Sequence, residues 1–197
     1  DGITHMKDGQ LITQYGYTNT NGVLDTTYYS NNRIRISDLK FDNNGNLWGL
    51  SSEVNHPLFV KTKNGEWHSF TMNQNQVALF FDDLLIDSYN QQWGLIERGA
   101  GVFVYNHNNT IENPNDDQYK LLNTNIGSGN LPSLQTYSIA EDLDGEIWIG
   151  TDQGIGIFYN PSSIFTGINF DAQQILITEG EYGQYLLSEE KVKCITI

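Results

Sequence analysis

At 197 residues and 38% apolar content, the chain is long enough for one domain with a sizeable core. No run approaches the roughly 18 to 20 apolar residues that cross a bilayer as a helix, so no transmembrane segment is expected in this fragment. Ten basic against 24 acidic residues give a formal net charge of −14, which argues against a nucleic-acid partner held through its phosphates.

The acids are dispersed along the chain and read as a solvated surface. With 12% aromatic residues, carbohydrate stays open as a ligand class, because hydrogen bonds and stacking recognise it without a basic patch. The first residues carry no charged-then-apolar leader, and a signal peptide is expected to lie outside the fragment.

Three tryptophans frame the elements. Trp48 lies in DLKFDNNGNLWGLSS, Trp93 in DLLIDSYNQQWGLIE and Trp148 in SIAEDLDGEIWIGTD, and the three stretches align without a gap. Six residues before each tryptophan stands Asp42, Asp87 or Asp142. Three residues before it stands Gly45, Asn90 or Gly145, the residue types that best tolerate a left-handed backbone. The tryptophans stand 45 and 55 residues apart, and a period of about this length, made of short strands and turns, is the signature of a β-propeller blade, a four-stranded antiparallel sheet. The fold class predicted is therefore all-β, a β-propeller of four-stranded antiparallel blades, present as a fragment of about three whole blades and two part blades.

In chain order, residues 1–30 read as the end of a blade, with Gly2-Ile3 matching Gly101-Val102 and Gly154-Ile155. Residues 34–72 form the first whole blade, with strands expected at Ile36–Phe41, Asn46–Ser51, Pro57–Thr62 and Trp67–Thr71. The second, 80–125, has strands expected at Phe80–Ile86, Gln91–Ile96, Gly101–Tyr105 and about Tyr119–Leu122. The third, 136–190, has them at Thr136–Glu141, Glu146–Thr151 and Ile155–Tyr159, with an outer region between Gln174 and Ser188. Residues 192–197 resemble the first strand of a further blade, which predicts an Asp-x-x-Gly-x-x-Trp run after Ile197.

The tryptophans are expected to pack between neighbouring blades, since recurrence at one place in every copy specifies a fold rather than a site. Asp142, Asp144 and Glu146 put three carboxylates within five residues, yet the full calcium loop is missing, and an Asp capping its own turn is the expectation. The sialidase Asp box fails by one position, and the three arginines, Arg33, Arg35 and Arg98, two of them on one strand face, argue against a sialidase-type carboxylate clamp. His5, His56, His68 and His107 form no metal pair, and no nucleophile elbow occurs. A pair of catalytic carboxylates stays open among so many acids. Cys194, the single cysteine, reads as a small buried hydrophobe. No catalytic, cofactor-binding or metal-binding residue is assigned, and no cofactor is expected.

The motif GEIWIGTDQGIGIFYNP resembles the two-component regulator propeller repeat, as three good copies and two fragments along nearly the whole chain. The resemblance implies a non-catalytic protein of the periplasm or cell surface, associated with the outer membrane. The stretch Asp171–Ile197 resembles members that serve type IX secretion in Bacteroidetes, whose implied partners are envelope proteins or lipopolysaccharide during cargo attachment. A periplasmic glycan sensor of a hybrid two-component regulator is the alternative it implies, and a propeller-based glycan lyase or hydrolase the third.

Overall fold

The computed structural model describes residues 2–30, 33–72, 80–179 and 182–197. The chain divides into two compact units, Asp1–Phe81 and Asp82–Ile197. Both are built from antiparallel sheets, and no α-helix occurs among the described residues.

In the first unit, β1 (Ile3–Lys7) and β2 (Gln10–Tyr15) form a hairpin. A sheet follows in simple sequential order: β3 (Ile36–Phe41), β4 (Leu47–Ser51), β5 (Leu58–Lys61) and β6 (Trp67–Phe70). Ile3, Leu24 and Phe59 are buried at the centre of a cluster completed by Tyr15, Leu39 and Trp67. Arg35 is spent locally, paired with Glu53 at 2.7 Å and lying over the Phe80 ring.

The second unit opens with another four-stranded meander, β7 (Phe81–Ile86), β8 (Gln92–Ile96), β9 (Gly101–Asn106) and β10 (Gln118–Leu122). The next sheet has three strands, β11 (Thr136–Glu141), β12 (Ile147–Thr151) and β13 (Gly154–Phe158). A separate hairpin, β14 (Leu176–Glu179) with β15 (Tyr182–Tyr185), comes last. The strands of the blade sheets thus start and stop within a residue or two of expectation. Ser37 and Tyr137, 100 positions apart like Trp48 and Trp148, mark the same irregularity in the first-to-second strand pairing of their sheets.

Trp93 and Leu95 of one sheet pack with Ile147, Ile149 and Phe158 of the next in a single buried core, and the Trp93 and Phe158 rings lie 5.3 Å apart. Trp93 therefore packs between neighbouring sheets, as expected. Trp48 is fully buried and stacks on Phe70 of its own sheet at 5.3 Å, while Trp148 is only half-buried.

Two expectations change. Cys194 is exposed rather than buried, because 191–197 forms no strand and so is not drawn into a sheet's apolar face. The outer region of the third blade is not a continuous fourth strand, for a reason that defines the candidate site.

Candidate functional site

The repeated hairpin is a closed hydrogen-bond cage. Asp42 Oδ1 accepts the backbone N–H groups of Asn44 (2.9 Å) and Asn46 (2.8 Å), and its Oδ2 accepts the Asn46 amide (2.7 Å) and the Trp48 indole N–H (3.0 Å). Asp87 repeats this with Tyr89 and Gln91 N–H at 3.0 and 2.8 Å, and with the Gln91 amide and Trp93 indole both at 2.8 Å. Asp142 takes the N–H groups of Asp144 and Glu146 at 3.0 and 2.9 Å and the Trp148 indole at 2.8 Å.

Gly45, Asn90 and Gly145 hold the left-handed turn position, with φ of 84°, 63° and 79°. These carboxylates are therefore occupied in capping their own turns. The aspartate-to-indole bond was missed from sequence, although the constant six-residue spacing carried it.

Burial tunes the three aspartates differently. At Asp87 burial dominates over the hydrogen bonds from Gln91 and Trp93, and pushes the carboxyl above the usual aspartate range. At Asp42 burial works the same way, but the bonds from Trp48, Asn46 and Asn44 outweigh it and hold the carboxyl low. Asp142 is held low chiefly by the Glu146 N–H. The third cage also lacks the amide donor: Glu146 stands where Asn46 and Gln91 stand, and slight burial with the charges of Asp142 and Asp144 pushes its carboxyl up.

What differs between copies lies in the outer strand. Gly2, Gly101 and Gly154 each lead into a third strand with positive φ (127°, 82° and 88°), where a Cβ would stand 2.0 Å from the Tyr15 carbonyl oxygen, 2.3 Å from that of Leu122 and 2.8 Å from that of Leu186. Tyr15 and Leu122 end the outer strands β2 and β10, so Leu186 stands at the equivalent end in the third sheet. The beginning of that outer strand is also present, because Gln173 exchanges both backbone hydrogen bonds with Ile157 at 2.9 Å.

Between these two points the chain leaves the sheet. Leu186 N–H bonds to the Ile175 carbonyl (2.8 Å), which closes the base of the β14–β15 hairpin. The third sheet's outer strand is thus interrupted by an extruded hairpin of about ten residues.

The hairpin carries Leu176 (55% exposed), Ile177 (50%), Tyr182 (85%) and Tyr185 (47%). Beside it lies a cleft of about 640 Å³ lined by Tyr182, Gln184, Tyr185, Leu187, Glu189 and Glu190, among others, and no basic residue lines it. Lys191, next in sequence, lies over the Tyr137 ring at 4.6 Å. In the first unit, a cleft of about 500 Å³ has the opposite character: Lys61, Lys63 and His5 line it with Leu39, Phe41 and Tyr15, and no acid does. Among the described residues, no three His, Cys, Asp or Glu side chains are grouped to hold a metal ion, and no helix is long and apolar enough to cross a membrane.

Four-stranded meanders carrying an Asp-to-Trp hairpin cage define the class as a β-propeller. The two-component regulator propeller model matches residues 130–153, the stretch centred on the third cage. Among solved structures, the chain is similar to PorZ of Porphyromonas gingivalis, described as an essential bacterial surface component of the type-IX secretion system. The identity is 25% and the TM-score 0.80, over 98% of this chain but 26% of PorZ.

It also resembles the extracellular domain assigned to the hybrid two component system BT3049 of B. thetaiotaomicron, at 20% identity and TM-score 0.56, over 87% of this chain and 19% of that one. Virginiamycin B lyase from Staphylococcus aureus matches at 14% identity and TM-score 0.45, over 63% and 38%. No curated protein sequence matches the chain. The chain thus spans about a quarter of PorZ's length, and its fold is that of extracellular and surface propellers.

Proposed function

We propose that the chain is part of a non-catalytic propeller of the cell envelope, a PorZ-like secretion component that holds surface lipopolysaccharide or partner proteins while cargo is attached. The observation that carries this reading is the similarity to PorZ along 98% of the chain. In this reading residues 34–72, 80–125 and 136–190 are whole blades between part blades at 1–30 and 192–197. A coding sequence that continues past Ile197 without Asp-x-x-Gly-x-x-Trp would overturn that division.

The net charge of −14 is at odds with an anionic glycolipid. The cleft of the first unit supplies a local answer, since two lysines line it beside apolar side chains and no carboxylate does. The test is binding of purified chain to immobilised lipopolysaccharide before and after enzymatic removal of its phosphates. Binding that weakens on dephosphorylation and in the Lys61→Gln, Lys63→Gln double variant supports the reading. Binding equal in all three arms, or none, sinks the lipopolysaccharide arm.

A second reading, the periplasmic sensor of a hybrid two-component regulator, is favoured by the family match at 130–153. A membrane-spanning helix and histidine kinase encoded downstream decide for it.

A further inference from the structure

The β14–β15 hairpin has two features that the repeat does not require: a β15 edge with no partner strand among the described residues, and an acidic flank. Its ladder fixes which backbone groups point outward. At the base the Leu186 N–H donates to the Ile175 carbonyl, and the register continues Leu176 with Tyr185, Ile177 with Gln184, Thr178 with Gly183 and Glu179 with Tyr182. Since bonded and non-bonded pairs alternate in an antiparallel ladder, Ile177–Gln184 and Glu179–Tyr182 are the bonded pairs. Gly183 and Tyr185 therefore turn their N–H groups away from β14, toward the outer edge of β15.

That edge borders the cleft. No other strand pairs with it among the described residues, and Gly183 presents no side chain to an approaching backbone. A two-stranded hairpin is marginal alone and gains from a third strand. An exposed edge of this kind is a template for pairing with another chain unless charge or proline blocks it, and the chain places neither a lysine nor a proline in β15.

We propose that β15 is a strand-addition site for an extended, basic peptide segment of a partner protein. Gly183, through its N–H and carbonyl, and Tyr185, through its N–H, supply the backbone ladder; the Tyr185 carbonyl already accepts the Ser188 N–H (3.1 Å), which sets the end of the ladder. Tyr182, Tyr185 and Leu187 cover the alternate side chains, and Glu189 and Glu190 select a cationic sequence. Charge decides the occupant: carboxylates line the cleft without a basic residue, so an anionic ligand is repelled and a lysine-bearing strand attracted. The inference concerns this hairpin's ligand and does not depend on where the protein resides or on the lysine-lined cleft.

The test uses the 197-residue chain and fluorescein-labelled heptapeptides, followed by anisotropy at roughly 0.15 M salt. Alternating Lys–Val is the probe; alternating Glu–Val reverses its charge, and alternating Lys–Pro keeps the charge while removing backbone donors. The Lys–Val peptide is expected to bind, with each control at least about ten-fold weaker. Gly183→Pro removes only an outward N–H, so its circular dichroism should be unchanged while affinity drops about ten-fold. Glu189→Gln with Glu190→Gln, which leaves the ladder intact, should weaken binding several-fold.

Equal binding of Lys–Val and Lys–Pro would reduce the effect to the overall negative charge and overturn the proposal. So would unchanged affinity in Gly183→Pro, or no binding of Lys–Val at millimolar concentration. A neutral oligosaccharide that displaces nothing but perturbs the Tyr182 and Tyr185 resonances, with the peptide silent, would assign the cleft to sugar instead. Lipopolysaccharide binding is a separate measurement, so either reading can fail without the other.

Discussion

The second and third blade sheets are built from the same hairpin, yet one is closed and the other opened. In the sheet of β7–β10, Trp93 is fully buried, its cage holds four donors on Asp87, and the outer strand runs unbroken from Gln118 to Leu122. In the sheet of β11–β13, Trp148 is half-buried, an acid replaces the amide donor, and the outer strand is cut by the β14–β15 hairpin.

Even the packing is inverted. Gly94 faces Phe103 across its ladder, whereas Ile149 faces Gly156, so the large and small residues have exchanged strands. Each arrangement fills one large volume per pair, which is the constraint a close-packed core imposes. The comparison teaches that the cage is structural and that the third sheet has kept it while giving up its outer edge.

The largest expected effect tests the burial difference. Trp93→Ala should cost about 4 kcal/mol, from the cavity between the sheets and the two-sided loss at Asp87. Trp148→Ala should cost about half as much, because its ring is already partly in water. Urea titration of both variants measures this, and equal losses would erase the distinction between the sheets.

Next comes the inverted packing. A Cβ at Gly94 would lie 1.9 Å from the Phe103 ring, so Gly94→Ala should cost about 3 kcal/mol, at the upper end for overpacking. At Gly156 the nearest atom is Pro132 Cδ at 2.8 Å, and Gly156→Ala should cost only about 1 kcal/mol. Partial rescue of Gly94→Ala by Phe103→Leu, read from thermal midpoints, would show that the ring is the obstacle.

How much of this was legible depends on which interactions are local. Trp48, Trp93 and Trp148 with their preceding Gly or Asn located the first hairpin of each of the three blade sheets, because turn chemistry is a matter of a few adjacent residues. The outer strand of the third sheet was not legible. Residues from Gln174 to Ser188 favour extended backbone in either place, and β-propensity does not say which neighbour a strand pairs with. Cys194 misled for a related reason: an apolar run indicates burial only where a partner sheet exists to cover it. The lysine-lined cleft joins residues distant in sequence, from Ile3 to Lys63, whereas the acid-lined one is drawn from 177–190 alone and depends on the hairpin leaving the sheet; dispersed charge in the chain concealed both patches.

The cages also predict opposite titrations. Asp87, raised by burial, contributes stability at low pH that is lost as pH rises through its folded pKa. Asp142, held low by hydrogen bonds, contributes stability above the ordinary aspartate range that is lost as pH falls through its folded pKa. Carboxyl-carbon NMR titration should place Asp87 above and Asp142 below an unperturbed aspartate. The same order for both would mean that the two cages are electrostatically alike.

The smallest effect isolates the one residue in which the third cage departs from the other two. Asn46 and Gln91 each donate an amide proton to the aspartate at any pH, whereas Glu146 has a proton to give only when its carboxyl is protonated. Burial and the charges of Asp142 and Asp144 raise its pKa, so its favourable contribution is complete at low pH and disappears as pH rises through the folded value. Glu146→Gln should therefore raise the melting midpoint slightly at pH 7, and the gain should shrink to nothing as pH falls below the glutamate range. A gain that is the same at every pH would point to lost charge repulsion across the surface rather than to the missing donor. No gain at all would show that the backbone N–H groups and the indole already saturate Asp142, leaving the amides of the first two cages as ornaments of a turn that the aspartate closes alone.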